Sequence, residues 1–167
     1  MAFHPNENQP LIMSNSKTLV AANTTAAVPI FRISGMVNVK AIWGVVTTAI
    51  GSNHTGAYLR LNDQTSPKNI TLNTGGATLS SLGVGSIVMK NDLATAVAQV
   101  HSSAAGVVDE PVYPGSTTDS EFHLVAKATA NTDIEYVYTT TNNPTTGAIQ
   151  FFIEYFPRSI GASVSAL

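Results

Sequence analysis

Residues 36–62 read MVNVKAIWGVVTTAIGSNHTGAYLRLN, and this stretch decides the fold class. From Met36 to Val46 the odd positions Val37, Val39, Ala41, Trp43 and Val45 are apolar, whereas Asn38 and Lys40 hold even ones. Ile42 and Val46 interrupt that alternation. Gly51-Ser52-Asn53 supplies a turn, after which Ala57, Leu59 and Leu61 alternate with Tyr58, Arg60 and Asn62. A period of two puts successive side chains on opposite faces, the pattern of a half-buried strand. Trp43, in phase with Val39 and Val45, is expected in the core.

The same period recurs on either side. Glu121–Ala128 offers Phe122, Leu124, Ala126 and Ala128 to one face, against Glu121, His123 and Lys127. Asp133–Tyr138 sets Ile134, Tyr136 and Tyr138 against Asp133 and Glu135, and Gly147–Phe156 aligns Ile149, Phe151, Ile153 and Tyr155. Shorter strands are expected at Val28–Ile33, Asn69–Leu72, Ser86–Met89 and Ala96–His101, with turn residues between them such as Ser34-Gly35, Asn62-Asp63 and Asn143-Pro144. Asp92–Val100 is the sole helix candidate, and its Val and Thr content argues against it. The reading is an all-β chain, an antiparallel two-sheet sandwich, jelly-roll-like, in which two sheets bury their alternating apolar sets against each other.

Three segments follow from the pattern: an extended N-terminal arm over 1–16, the β-sandwich over 17–158 and a C-terminal tail over 159–167. The arm has two prolines and no alternation, yet it also carries Phe3, Leu11, Ile12 and Met13. It reads either as a strand pairing with a sheet edge or as an arm docking on a neighbouring subunit. Phe3, Leu11, Ile12 and Met13 are accordingly the candidate contacts with a partner or a neighbouring subunit. The Gly/Ser/Thr-rich stretch 73–85 reads as a long surface loop.

Composition narrows the function classes. Of 167 residues only 11% are charged, against about 25% in an average soluble domain, while 44% are hydrophobic. A net charge of −2 argues against a nucleic-acid binder working through a basic surface. With no cysteine there are no disulfides, thiolate metal sites or cysteine nucleophiles. The opening residues do not read as a secretory leader, and no run reaches the eighteen or so apolar residues of a membrane span. Synthesis in a cytoplasm, with no membrane partner, is the expectation.

No motif for chemistry stands out. His4, His54, His101 and His123 lack the separations that gather metal ligands on one strand or helix. His123 reads as a solvated side chain, and His54 as part of a Ser-Asn-His-Thr turn. Asp119/Glu121 and Asp133/Glu135 each share a strand face, with Cβ atoms about 7 Å apart. Such pairs admit a carboxylate hydrolase as a remote alternative. On an outward face, however, they read as solubility or partner contacts. The expectation is a non-enzyme without metal or cofactor.

A resemblance then enters. Residues 28–61, VPIFRISGMVNVKAIWGVVTTAIGSNHTGAYLRL, carry a Trp-Gly-Val-Val-Thr-Thr core, and the chain later runs Thr-Gly-Ala-Ile-Gln-Phe-Phe-Ile-Glu-Tyr-Phe-Pro. Together they resemble small β-rich virion structural proteins of tailed bacteriophages, of the capsid cement (decoration) type. The resemblance covers a quarter to a third of the chain. It implies a subunit, commonly a homotrimer, that binds the outer capsid surface through the major capsid protein and braces the head against packaged DNA. The alternative is a tail or head-fibre component binding a host glycan, with Tyr58 and Tyr113 as stacking candidates. The low charge agrees with the first reading, because interface cores are depleted in charged residues.

Overall fold

The computed structural model describes residues 10–19, 25–71, 78–90, 98–101, 122–140 and 146–167. Within these the chain forms eleven strands and no helix. They are β1 (Leu11–Thr18), β2 (Thr25–Ser34), β3 (Met36–Thr48), β4 (His54–Asn62), β5 (Lys68–Asn69), β6 (Ile87–Lys90), β7 (Ala98–His101), β8 (Phe122–Val125), β9 (Thr132–Thr140), β10 (Ala148–Pro157) and β11 (Ser163–Ala166). The first sheet has the order β1-β10-β3-β6-β7, with β8 also pairing with β3; the second has the order β11-β2-β9-β4-β5. All pairings are antiparallel. The chain is the all-β, two-sheet sandwich that the alternation predicts.

Between the sheets lies one core. Val37, Val39, Ile42 and Val46 of β3 and Ile149, Phe151, Ile153 and Tyr155 of β10 face Phe31, Ile33, Leu59, Ile134, Tyr136 and Tyr138 of the second sheet. Each such side chain contributes about 1.5–3 kcal/mol by leaving water. The passage from β2 to β3 switches sheets through Gly35 alone, whose φ of +66° is a conformation that a side chain with a Cβ adopts only under strain.

Three expectations change. Trp43 is not in the core. The register of β3 against β10 skips from Val39↔Tyr155 to Ala41↔Glu154, so Lys40 is an extra residue. A bulge of this kind shifts the pleat by one position. Thereafter Ile42, Gly44 and Val46 point inward, while Trp43 and Val45 lie half-buried on the outer face. Second, the described part of the stretch 73–85, residues 78–85, is not simply a surface loop: Leu79 and Leu82 are buried in the core, and the Leu79 amide donates to the His54 carbonyl at 3.0 Å. Third, His54 opens β4 with its side chain fully buried instead of sitting in a solvated turn.

The ends of the chain also join the sheets. Residues 11–16 of the expected arm lie in β1, so the boundary at 16 falls inside a strand. Residues 163–166 of the expected tail form β11 against β2. One edge of the sandwich is clasped where these strands face each other. The Asn15 amide donates to the carbonyls of Ile30 (2.6 Å) and Leu167 (2.8 Å), and Lys17 Nζ donates to Leu167 O at 2.6 Å. Ile30 is itself skipped in the β2–β9 register, and its carbonyl accepts from the Leu167 amide at 3.3 Å as well as from Asn15.

Candidate functional site

The two outer faces of the sandwich differ in chemistry. On the second sheet, β9 carries Asp133, Glu135 and Val137 outward. The sequence placed both carboxylates on a solvated face, yet each is only 5% exposed. Arg32 Nε donates to Asp133 at 2.8 Å with Arg32 Nη2 at 3.2 Å from the second oxygen, while Arg60 Nε (2.6 Å) and the Asn62 amide (2.9 Å) donate to Glu135. β9 is central in its sheet, so flanking strands supply a guanidinium to each carboxylate. A Thr25–Thr139 hydroxyl contact at 3.0 Å continues this polar face, and Tyr58 lies half-buried on it. Its hydrogen-bonding groups are engaged with one another. Neither carboxylate is available as the unpaired acid that a hydrolase needs.

The outer face of the first sheet is apolar at its centre. The registers align Ser14, Phe152, Trp43 and Met89 as one row across four strands. The next row is Ser16, Gln150, Val45 and Ile87. At its centre the Trp43 and Phe152 rings stack, with centroids 5.3 Å apart and planes 10° from parallel. Toward one end Phe156 lies beneath two cations, Lys40 Nζ at 5.8 Å and Arg158 Cζ at 5.5 Å from its centroid. Glu154, in register with Ile12, places a carboxylate on the same face. Aromatic and Met side chains with little charge are the composition of an interface centre.

The candidate contacts read from the sequence divide. Ile12, 63% exposed, borders this apolar face. Met13 points the other way and packs against the core, and Leu11, in the same phase, is exposed at the strand end. Phe3 lies outside the described residues, as do Tyr113, Asp119 and Glu121. What sequence reasoning missed is the Trp43–Phe152 pair. Its signal was the pattern break at Ile42 and Val46, two inward residues out of the expected phase.

Beneath the second sheet lies a buried polar group. His54 Nε2 and the Tyr136 hydroxyl are 2.8 Å apart, and the imidazole stacks on Tyr138 at 4.5 Å. Burial lowers the His54 pKa from 6.5 to about 4, and burial together with Tyr138 raises that of Tyr136 well above 10. Both groups are therefore neutral at ordinary pH. Among the described residues the only hydrogen-bond partner of the imidazole is the phenol, since Nδ1 has none. The group is structural in its geometry: it lies in the core, and among the described residues no three His, Asp or Glu side chains gather as a metal site. No known family model, curated protein or solved structure matches the chain.

Proposed function

We propose that this chain is a structural protein of a phage virion, a cement subunit that binds the outside of the assembled head. The observation that carries the reading is the asymmetry of the two outer faces. One is ion-paired within itself and suited to water. The other presents a stacked Trp43–Phe152 pair flanked by Met89, Val45, Ile87 and Ile12, and is suited to a protein surface. Strand order adds support. With β6, β7 and β11 set aside, the sheets run β1-β10-β3-β8 and β2-β9-β4-β5, the wrapping of a jelly roll, an architecture used by viral capsid and lectin domains.

The action is mechanical. A subunit that contacts two capsomers binds the assembled lattice and not free capsid protein, so it stabilises the lattice by mass action. A homotrimer would hold three such faces at once and multiply modest contacts through effective concentration. Rigid aromatic anchors suit this task because they lose little side-chain entropy on contact.

The test is binding to emptied heads of the phage that encodes the chain. Wild-type protein is expected to saturate the heads in many copies. Trp43→Ser with Phe152→Ser is expected to weaken binding about 30-fold or more, as loss of an interface anchor worth ~2 kcal/mol would. The circular dichroism of that variant should stay β-rich. Unchanged occupancy by the folded variant, or absence of the chain from purified heads, would overturn the reading.

A further inference from the structure

Among the described residues the edge strands of the sandwich are not alike. In the second sheet they are β11, with four residues, and β5, with two; in the first sheet β7 and β8 are each described over four residues. Short edges are one way proteins prevent unwanted pairing. The remaining edge, β1, has eight residues and runs without a register shift.

Its exposed backbone groups can be assigned. The Leu19 amide donates to the Gly147 carbonyl at 2.8 Å, which makes Leu19↔Gly147 a hydrogen-bonded pair. In an antiparallel ladder such pairs alternate, so Leu11, Met13, Asn15 and Lys17 bond to β10. The N–H and C=O groups of Ile12, Ser14, Ser16 and Thr18 therefore point away from the sheet. Pro10, next in that even-numbered series, has no N–H to offer. The usual guards are missing from this run. It contains no proline, and its one charged side chain, Lys17, is drawn inward to Leu167. The clasp from Asn15 and Lys17 to the other sheet also holds the strand in shape before any partner arrives.

We infer that β1 is a homotypic docking edge, pairing antiparallel with β1 of a second copy across a two-fold axis. A second copy fits because the edge is self-complementary. With the axis beside Asn15, Ser14 faces the partner's Ser16 and Ile12 faces the partner's Thr18. Every outward N–H then meets an outward C=O, and no like charges oppose each other. The two first sheets become one continuous sheet, with their apolar outer faces side by side. This inference does not depend on the cement reading, and a trimer built through another surface would still carry such an edge on each copy.

Sedimentation of the full chain tests it. Ser14→Pro removes one outward donor and obstructs the edge while sparing every β1–β10 bond, so it should halve the association state and leave the β-sheet spectrum unchanged. Ser16→Lys, which adds two charges near the axis, should do the same. The chain has no cysteine, so a variant carrying both Ser14→Cys and Ser16→Cys should give a covalent dimer on mild oxidation. Lys68→Cys, on the opposite edge, should not. A wild-type monomer at micromolar concentration, or an association state unmoved by either edge variant, would overturn the inference. Loss of head binding by the face variants alone would bear only on the cement reading.

Discussion

His54 is held neutral by its surroundings, and this has a pH consequence of definite sign. Its pKa falls from 6.5 in the open chain to about 4 when folded, because burial disfavours the imidazolium. The unfolded chain then binds a proton below pH 6.5 that the folded chain refuses. Stability is fully present above that pH and declines as pH falls toward 4, by up to about 3 kcal/mol. Thermal melts between pH 7 and 4 should show this slope, and His54→Phe should flatten it. Gly44 is the other residue under close constraint. A Cβ there would lie 2.6 Å from Ile149 Cγ2 and 3.1 Å from the Phe151 ring, and Ile149 is branched and fully buried. Gly44→Ala should therefore cost about 1–3 kcal/mol in denaturant unfolding. A neutral substitution would mean that the Ile149 and Phe151 side chains yield more readily than their packing indicates.

Among the elements, β3 and β1 carry the two proposals. The bulge at Lys40 gives β3 two phases: Val37 and Val39 face inward before it, and Ile42 and Val46 after it. The same shift turns Trp43 outward. Had the strand run straight, either Trp43 would enter the core or Ile42 and Val46 would leave it. In β1, Asn15 joins the two sheets through the carbonyls of Ile30 and Leu167. Asn15→Ala deletes both bonds and leaves the Ile30 carbonyl only the longer contact from the Leu167 amide at 3.3 Å, so a loss of about 1–3 kcal/mol is expected. Calorimetry on that variant, with Ser16→Ala as an exposed control, should separate the clasp from strand propensity.

For the whole molecule, the distribution of charge sets how binding should respond to salt. On the second sheet the guanidinium–carboxylate pairs Arg32–Asp133 and Arg60–Glu135 neutralise each other. Among the described residues, the charges on the apolar face lie near Phe156, from Lys40, Arg158 and Glu154. Salt screens exposed charges over about 10 Å at 0.1 M, and this face offers few to screen. Head binding should accordingly change less than about tenfold between low and high salt, a range over which a charge-driven contact would lose far more. A steep fall would point to an electrostatic partner surface.

Local sequence determined the strands, because the period of two in segments such as Ala57–Asn62 and Gly147–Phe156 reports burial of one face and is written in neighbouring residues. It therefore also determined the two-sheet sandwich and most of the core, including Phe122, Leu124, Ile149 and Ile153. Tertiary structure alone decided which face Trp43 takes, since a bulge at Lys40 is a matter of pairing with β10 and not of composition. It likewise decided that Asp133 and Glu135 are enclosed, as their arginine partners lie on strands 101 and 75 residues away in sequence. The same holds for His54 and Tyr136, 82 residues apart, and for Leu79 and Leu82, buried from within a Gly/Ser-rich stretch. In each case the deciding contact is long-range, and periodicity records which residues seek cover but not what covers them.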